Sequence, residues 1–151
     1  MGFIQGLLAL LGRFMIATIF VMSAAGNKIP KFNEVVKVMD AVGIPQPQIM
    51  LIGAIAFLLI GGLSVALGYK ARFGALLLLA FLAAATYYFH AFWKIDVKAE
   101  PEQFKDQMIA FMKNLSLAGT MVFLIANGAG PGSLDARSRT ATADSSDIEE
   151  E

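Results

Sequence analysis

The 151-residue sequence contains no cysteine and only one histidine. Without cysteine the chain forms no disulfide, offers no thiolate to a metal and carries out no thiol exchange of its own. A single histidine likewise excludes a multi-histidine metal site. We also find no haem, flavin or iron–sulfur motif. The sequence therefore predicts that the chain holds no metal. It does not identify a cofactor, although it is compatible with a quinone.

Charge is scarce as well. Only 16% of the residues are charged and the formal net charge is zero, so no broad basic surface indicates a nucleic-acid partner. In contrast, 57% of the residues are hydrophobic and the mean hydropathy is +0.64. A soluble domain is nearer half apolar and a quarter charged. Because the apolar residues occur in long blocks, the composition favours a membrane protein.

Four apolar blocks have about the length that crosses a bilayer, roughly 20 residues with about 17 as a lower limit. They are residues 3–22, 49–67, 73–93 and 108–126. No Lys or Arg precedes the first block and Arg13 lies inside it, which argues for a retained helix rather than a signal peptide. The predicted fold class is all-α, an integral membrane four-helix bundle over residues 1–135.

The segments outside these blocks give two further expectations. In the first connection, residues 27–48, Asn33 is placed to cap a short helix that begins at Glu34 and ends before Gly43. That helix can lie along the membrane surface or pack on the end of the bundle, and the two are compatible. Residues 136–151 are small, polar and finally acidic, which predicts a disordered tail.

An even number of spans places both termini on one side of the membrane. The short turn at residues 68–72 carries Lys70 and Arg72, and a basic hairpin of this kind usually stays in the cytoplasm. We therefore predict cytoplasmic termini, although the two opposite connections hold more lysines.

Arg13 is the one formal charge inside the first block, and none of the four blocks contains Asp or Glu. An arginine near the middle of a span normally faces the protein interior and finds polar partners there. Its partners must be neutral side chains, backbone carbonyls, water or a ligand. Two interpretations stay open: Arg13 holds an anionic or quinone-like headgroup, or it is a structural arginine that snorkels to the interface or bonds carbonyls at a helix break.

His90 lies near the end of the third block, one turn after Tyr87, while Lys113 and Asn114 follow the start of the fourth block from the same side. These residues can meet in one interfacial polar cluster, where a histidine near its ordinary pKa relays protons. The alternative is an aromatic belt that anchors the helix at headgroup level, to which we assign Tyr88, Phe92 and Trp93. The candidate ligand-binding or proton-relay residues are Arg13, Tyr87, His90, Lys113 and Asn114.

Several segments in order resemble the DoxX family of small bacterial membrane proteins. Arg13 is followed by IFVMSAAGNKIPKF and GIPQP, then by GGLSVALGYKARFGALLL, FHAFW, FMKNLSLAG and GPGSLD. The resemblance implies a four-helix protein of the bacterial inner membrane, and a role in membrane-associated redox systems. One position departs from the family: many relatives carry an acid three residues before the glycine pair, where this chain has Leu58.

Three alternative functions are compatible with the sequence. The first is a membrane component of a quinone-linked or redox-homeostasis system. Because the chain has no redox group, the electrons would come from a partner such as a soluble oxidoreductase subunit, or pass between bound substrates. The second is a scaffold that tethers a soluble partner, and the third, with least support, is a small-solute transporter. The sequence shows no complete catalytic constellation, and a second copy of the chain is a further candidate partner.

Overall fold

The computed structural model describes residues 2–136 and 138, and all its regular elements are helical. The helices are α1 (Gly2–Ser23), α2 (Phe32–Ala41), α3 (Pro47–Leu67), α4 (Ala71–Phe89) and α5 (Pro101–Asn127). A π-helical turn, Ala24–Lys28, continues α1, and a 3₁₀ turn, Phe92–Lys94, follows α4. The predicted all-α membrane bundle is confirmed. Of the predicted disordered tail, all but positions 136 and 138 lies outside the described residues.

Four helical segments are long and apolar enough to cross a membrane: Gly2–Lys28, Pro47–Leu67, Ala71–Lys94 and Pro101–Asn127. The first and the last extend well beyond the apolar blocks of the sequence. The π turn extends the first helix to Lys28. At the other end of the sequence, α5 begins with a proline in its first turn, where the missing backbone N–H would have had no helical partner. Hydropathy locates the apolar middle of each helix but not its polar ends.

The short helix in the first connection exists, but it begins at Phe32 rather than Glu34, and Asn33 does not cap it. The chain needs no cap here because it stays in helical hydrogen bonding: the N–H of Ile29 bonds the carbonyl of Ala24, and that of Val35 bonds Lys31. The helix packs on the end of the bundle, where Met39 forms a small apolar cluster with residues of α3.

The helices are arranged in a row, in which α1 packs on α3, α3 on α4 and α4 on α5. In the described part of the chain α1 and α5 form the two edges of this row and pack little against each other. A single apolar core runs through it, with Phe20, Leu58, Leu78 and Met121 among its buried members. Leu58 is completely buried in this core.

Glycines set the close approach of α3 and α4. A Cβ added to Gly61 would lie 2.8 Å from Leu78 Cγ and 2.9 Å from the backbone oxygen of Gly74. Contacts this short leave no room for a methyl group, so the two backbones can meet only because residue 61 has no side chain.

We expect Gly61→Ala to destabilise the bundle by about 1–3 kcal/mol, the usual cost of overpacking a filled interface. Gly53→Ala, on the same helix, is the matched control because an added Cβ there meets nothing within 4 Å. It should be neutral or stabilising by up to about 1 kcal/mol, since alanine has the better helix propensity. Thermal unfolding in detergent distinguishes the two, and equal stability of the variants would contradict this packing.

Candidate functional site

Arg13 lies on α1 and is buried, with 3% of its surface exposed. Its Nη1 donates to the carbonyl of Ala129, and its Nη2 donates to the carbonyl of Gly132 at 3.0 Å. Both acceptors belong to the glycine-rich stretch that follows α5. The planar guanidinium offers several donors in a fixed fork, which suits two neighbouring carbonyls. The geometry matches the second interpretation of Arg13, a structural arginine that bonds carbonyls beyond a helix end.

Residues 128–135, which we name the clasp, fold back over one end of the bundle. Gly132, at a φ of 71°, brings the backbone within reach of Arg13 and packs directly on Gly6 of α1. The Asp135 carboxylate accepts hydrogen bonds from the backbone N–H groups of Lys70 and Ala71, at 2.8 and 3.0 Å. These N–H groups open α4 and have no intrahelical partner. The clasp therefore joins α1, the α3–α4 turn and the end of α5.

A cavity of about 530 Å³ lies towards the other end of the bundle. This volume is within the range of about 300–1,000 Å³ that small-molecule sites occupy. The cavity touches both edges of the helical row, α1 and α5, and α2 covers it from the loop side. Its apolar lining is formed by Ile19, Phe20, Val35, Met39, Ile44, Met50, Leu51, Ala54, Phe81, Leu82, Ala84, Ala85, Phe89 and Leu117. Polar groups are few and come from Ser23, Asn27, Lys28, Tyr88, His90 and Asn114.

The π-helical turn explains why α1 supplies three of these polar residues. A π turn bonds residue i to residue i+5, which brings side chains five apart closer to one face than an α-helix does. In an α-helix of 3.6 residues per turn they would face different directions. Ser23 and Lys28 are five apart, and Lys28 Nζ donates to Ser23 Oγ at 2.7 Å. The turn thus brings both side chains to the cavity.

His90 and Asn114 line the cavity, but they do not bond each other. The His90 ring Nδ1 lies 2.9 Å from Gln107 Oε1, a hydrogen bond in which the ring donates when its tautomer carries the proton on Nδ1. Asn114 Nδ2 donates to Thr86 Oγ1 at 3.0 Å. Both contacts link α4, or the residue that ends it, to α5, so they fix the side of the cavity that faces α5.

The other predicted site residues lie elsewhere. Tyr87 is exposed, with its ring edge-on to Tyr88 and the ammonium of Lys94 5.2 Å from its centroid. Lys113 is exposed on α5 and is absent from the cavity lining. Arg13 is also absent from that lining, since it lies at the clasp. Of the five predicted residues, the structure brings His90 and Asn114 to one cavity.

The sequence did not identify Ser23, Asn27 and Lys28 as site residues. The first apolar block of the sequence ends at Met22, which places Lys28 among the charges of the following loop. A recognisable signal exists, because IFVMSAAGNKIPKF is one of the segments that carry the family resemblance. However, the residue types of this segment do not predict a π turn.

Comparison with known proteins agrees with this architecture. The DoxX family model matches residues 8–91, more than half of the chain. The chain belongs to the DoxX family. Among curated relatives, the Escherichia coli (strain K12) inner membrane protein YphA is 28% identical over 136 residues, covering 90% of this chain and 94% of that protein. Inner membrane protein YqjF of the same organism is 27% identical over 126 residues, covering 83% and 88%. No solved structure matches the chain significantly.

With four membrane-spanning helices and inner-membrane relatives over nearly its whole length, this DoxX-family chain is a multi-pass inner-membrane protein. The spanning helices necessarily contact the lipid bilayer. Large apolar side chains cover the outside of the bundle accordingly, including Phe3, Met15, Ile52 and Phe123, each more than half exposed.

We expect Arg13→Met to destabilise the protein by about 2–3 kcal/mol, because two carbonyls of the clasp lose a charged donor. Arg13→Lys should recover only part of this loss, since one ammonium does not reproduce the fork. Arg72→Met is the control: Arg72 is exposed and makes one 3.2 Å bond to the carbonyl of Ala126, so its loss should cost below about 1 kcal/mol. Unfolding in detergent measures the difference, and similar losses for Arg13→Met and Arg72→Met would contradict the clasp.

Proposed function

We propose that this DoxX-family protein is the membrane component of a redox system and binds a quinone-class molecule in the cavity between α1 and α5. The observation that supports this proposal is the cavity itself. It joins a large apolar space to a small set of polar groups at one end, the shape of a site for a lipid-soluble molecule with a polar ring.

The position of the cavity in the row of helices fits a ligand that arrives through the bilayer. Because α1 and α5 pack little against each other, the space between them is open at the side. Ile19 and Met50 line the cavity and are each about half exposed, so its apolar lining continues into the lipid-facing surface. A quinone with a hydrocarbon tail could enter here without crossing water.

The polar end offers both kinds of hydrogen-bonding group that a quinone ring needs. Lys28 and the amides of Asn27 and Asn114 can donate to ring carbonyls. Since Gln107 engages Nδ1 of His90, Nε2 is the ring nitrogen left to form a hydrogen bond with a quinone oxygen. Because the chain has no cysteine and no motif for haem, flavin or an iron–sulfur cluster, we propose that a soluble oxidoreductase delivers the electrons. Water at the polar end of the cavity supplies the two protons that the reduced ring takes up.

The proposal includes an orientation. Gly6 packs on Gly132, so the start of α1 and the end of the described chain lie at the same end of the bundle, next to Lys70 and Arg72. We place this end in the cytoplasm because the short α3–α4 turn is basic. The cavity's polar groups would then lie towards the periplasmic side.

We expect fusion of a fluorescent protein to the C-terminus to give fluorescent cells, because this reporter folds in the cytoplasm. Alkaline phosphatase, which needs the oxidising periplasm for its disulfides, should be active when inserted after Val97 and inactive at the C-terminus. The reverse pattern of the two reporters would overturn the orientation and leave the cavity unaffected.

We expect the purified protein in lipid nanodiscs to bind a short-chain naphthoquinone, measured by equilibrium dialysis. Ala85→Phe should reduce affinity at least about tenfold, because Ala85 lines the cavity and a benzyl group would occupy it. His90→Ala should weaken binding by a smaller factor.

Ala83→Phe is the matched control, on the same helix but exposed and outside the lining. It should bind as the unmodified protein does. If the unmodified protein binds the quinone no better than an unrelated four-helix membrane protein does, or if Ala83→Phe and Ala85→Phe behave alike, the proposed site is wrong.

A further inference from the structure

The formal charge that lines the cavity is positive. Among the described residues that line it, Lys28 is the one with a formal charge at neutral pH, and none is Asp or Glu. The remaining titratable groups of the lining are His90 and the phenol of Tyr88. A ligand headgroup in this cavity therefore meets a positive charge with no negative charge among the lining groups.

The ammonium group of Lys28 is held in place, but only part of its hydrogen-bonding capacity is used. In the described chain its ammonium makes one hydrogen bond, to Ser23 Oγ at 2.7 Å, and lies 5.3 Å from the centroid of the Phe81 ring. An ammonium has three N–H donors, and a hydroxyl uses one of them. A ring face attracts a cation but supplies no anionic oxygen. Two donors of Lys28 remain for a ligand.

Partial burial of the Lys28 charge costs free energy when no anion is bound in the cavity. Lys28 is partly buried beside Phe81, in a cavity whose lining is mostly apolar. Removing a cation from water without an opposite charge is unfavourable, and a buried charge in a membrane protein usually marks a functional site. An anionic group at Lys28 would offset the cost, whereas a neutral group would offset little of it.

From these contacts we infer that the cavity selects amphiphiles with an anionic headgroup, which bind with the anion at Lys28 and the hydrocarbon part against the apolar lining. The inference rests on the proposed function for the site and for its lipid-soluble ligand, and it narrows the ligand to acidic ones. Within the quinone class these are rings with an ionised hydroxyl group. A carboxylate on a hydrocarbon chain shares the same chemistry.

The test compares ligands that differ only in charge. A 3-alkyl-2-hydroxy-1,4-naphthoquinone is an anion at pH 7.5, and its 2-O-methyl ether is neutral; palmitate and methyl palmitate form a second pair. Binding is measured in nanodiscs of zwitterionic lipid at fixed ionic strength, so that the membrane itself adds no charge preference. The unmodified protein should bind each anion at least about tenfold more tightly than its neutral partner, the effect of one charge-assisted hydrogen bond.

Three variants assign that preference to Lys28. Lys28→Met removes the charge at similar length and should reduce the preference to below about threefold, while Lys28→Arg should keep it. Lys31→Met removes an equal charge three residues along, at an exposed position outside the lining, and should leave the preference unchanged. If Lys31→Met abolishes the preference as Lys28→Met does, only the surface charge matters and the inference is wrong.

The outcomes separate the inference from the proposed function. If both naphthoquinones bind with equal affinity and Ala85→Phe abolishes binding, the quinone site stands and the selection by Lys28 is overturned. If neither naphthoquinone binds but palmitate binds in a Lys28-dependent way, the anionic site stands and the quinone function fails. If no anion binds better than its neutral partner in the unmodified protein, the inference is overturned.

Discussion

The hydrogen bonds from Arg13 to the clasp hold together a bundle that is otherwise an open row. The two edges, α1 and α5, pack little against each other in the described chain, and the residues that follow α5 reach α1 at Arg13, Gly6 and Ala9. In an apolar medium the two clasp carbonyls and the guanidinium need each other, because no water replaces a lost partner. The edges are thus joined at the end that carries the clasp and separated at the other end, where the cavity lies.

The two cations of the first membrane span, Arg13 and Lys28, differ in what satisfies them. Two backbone carbonyls of the clasp accept hydrogen bonds from the two terminal nitrogens of Arg13, while its buried Nε makes none. Lys28 has one hydroxyl and one ring face. A guanidinium buried among fixed carbonyls suits a permanent structural contact, whereas an ammonium with unused donors at an open cavity suits a ligand. The same helix therefore provides a structural charge and a candidate binding charge.

The sequence predicts the fold well because hydrophobic length alone decides which segments cross a membrane. The partner of Arg13 could not be predicted, since it depends on a glycine-rich segment folding back 116 residues later in the chain. His90 pairs with Gln107 rather than Lys113 because α5 begins before the apolar block does. Gln107 and Asn114 are seven residues apart and share a face, whereas Lys113 points away. The rotation of α5 about its own axis determines which of its residues face His90, and the sequence does not establish that rotation.

Leu58 determines the polarity at the deep end of the cavity. On α3 it follows Leu51 and Ala54, two lining residues, at helical spacing, so it lies one turn deeper in the bundle on the same face. An acid at this position would put a carboxylate beneath the cavity and could balance a cation from within. With leucine the deep end is apolar and the polar groups are confined to the end formed by Lys28 and His90. A headgroup in this cavity must therefore stay at that end, with its tail directed inwards or towards the lipid.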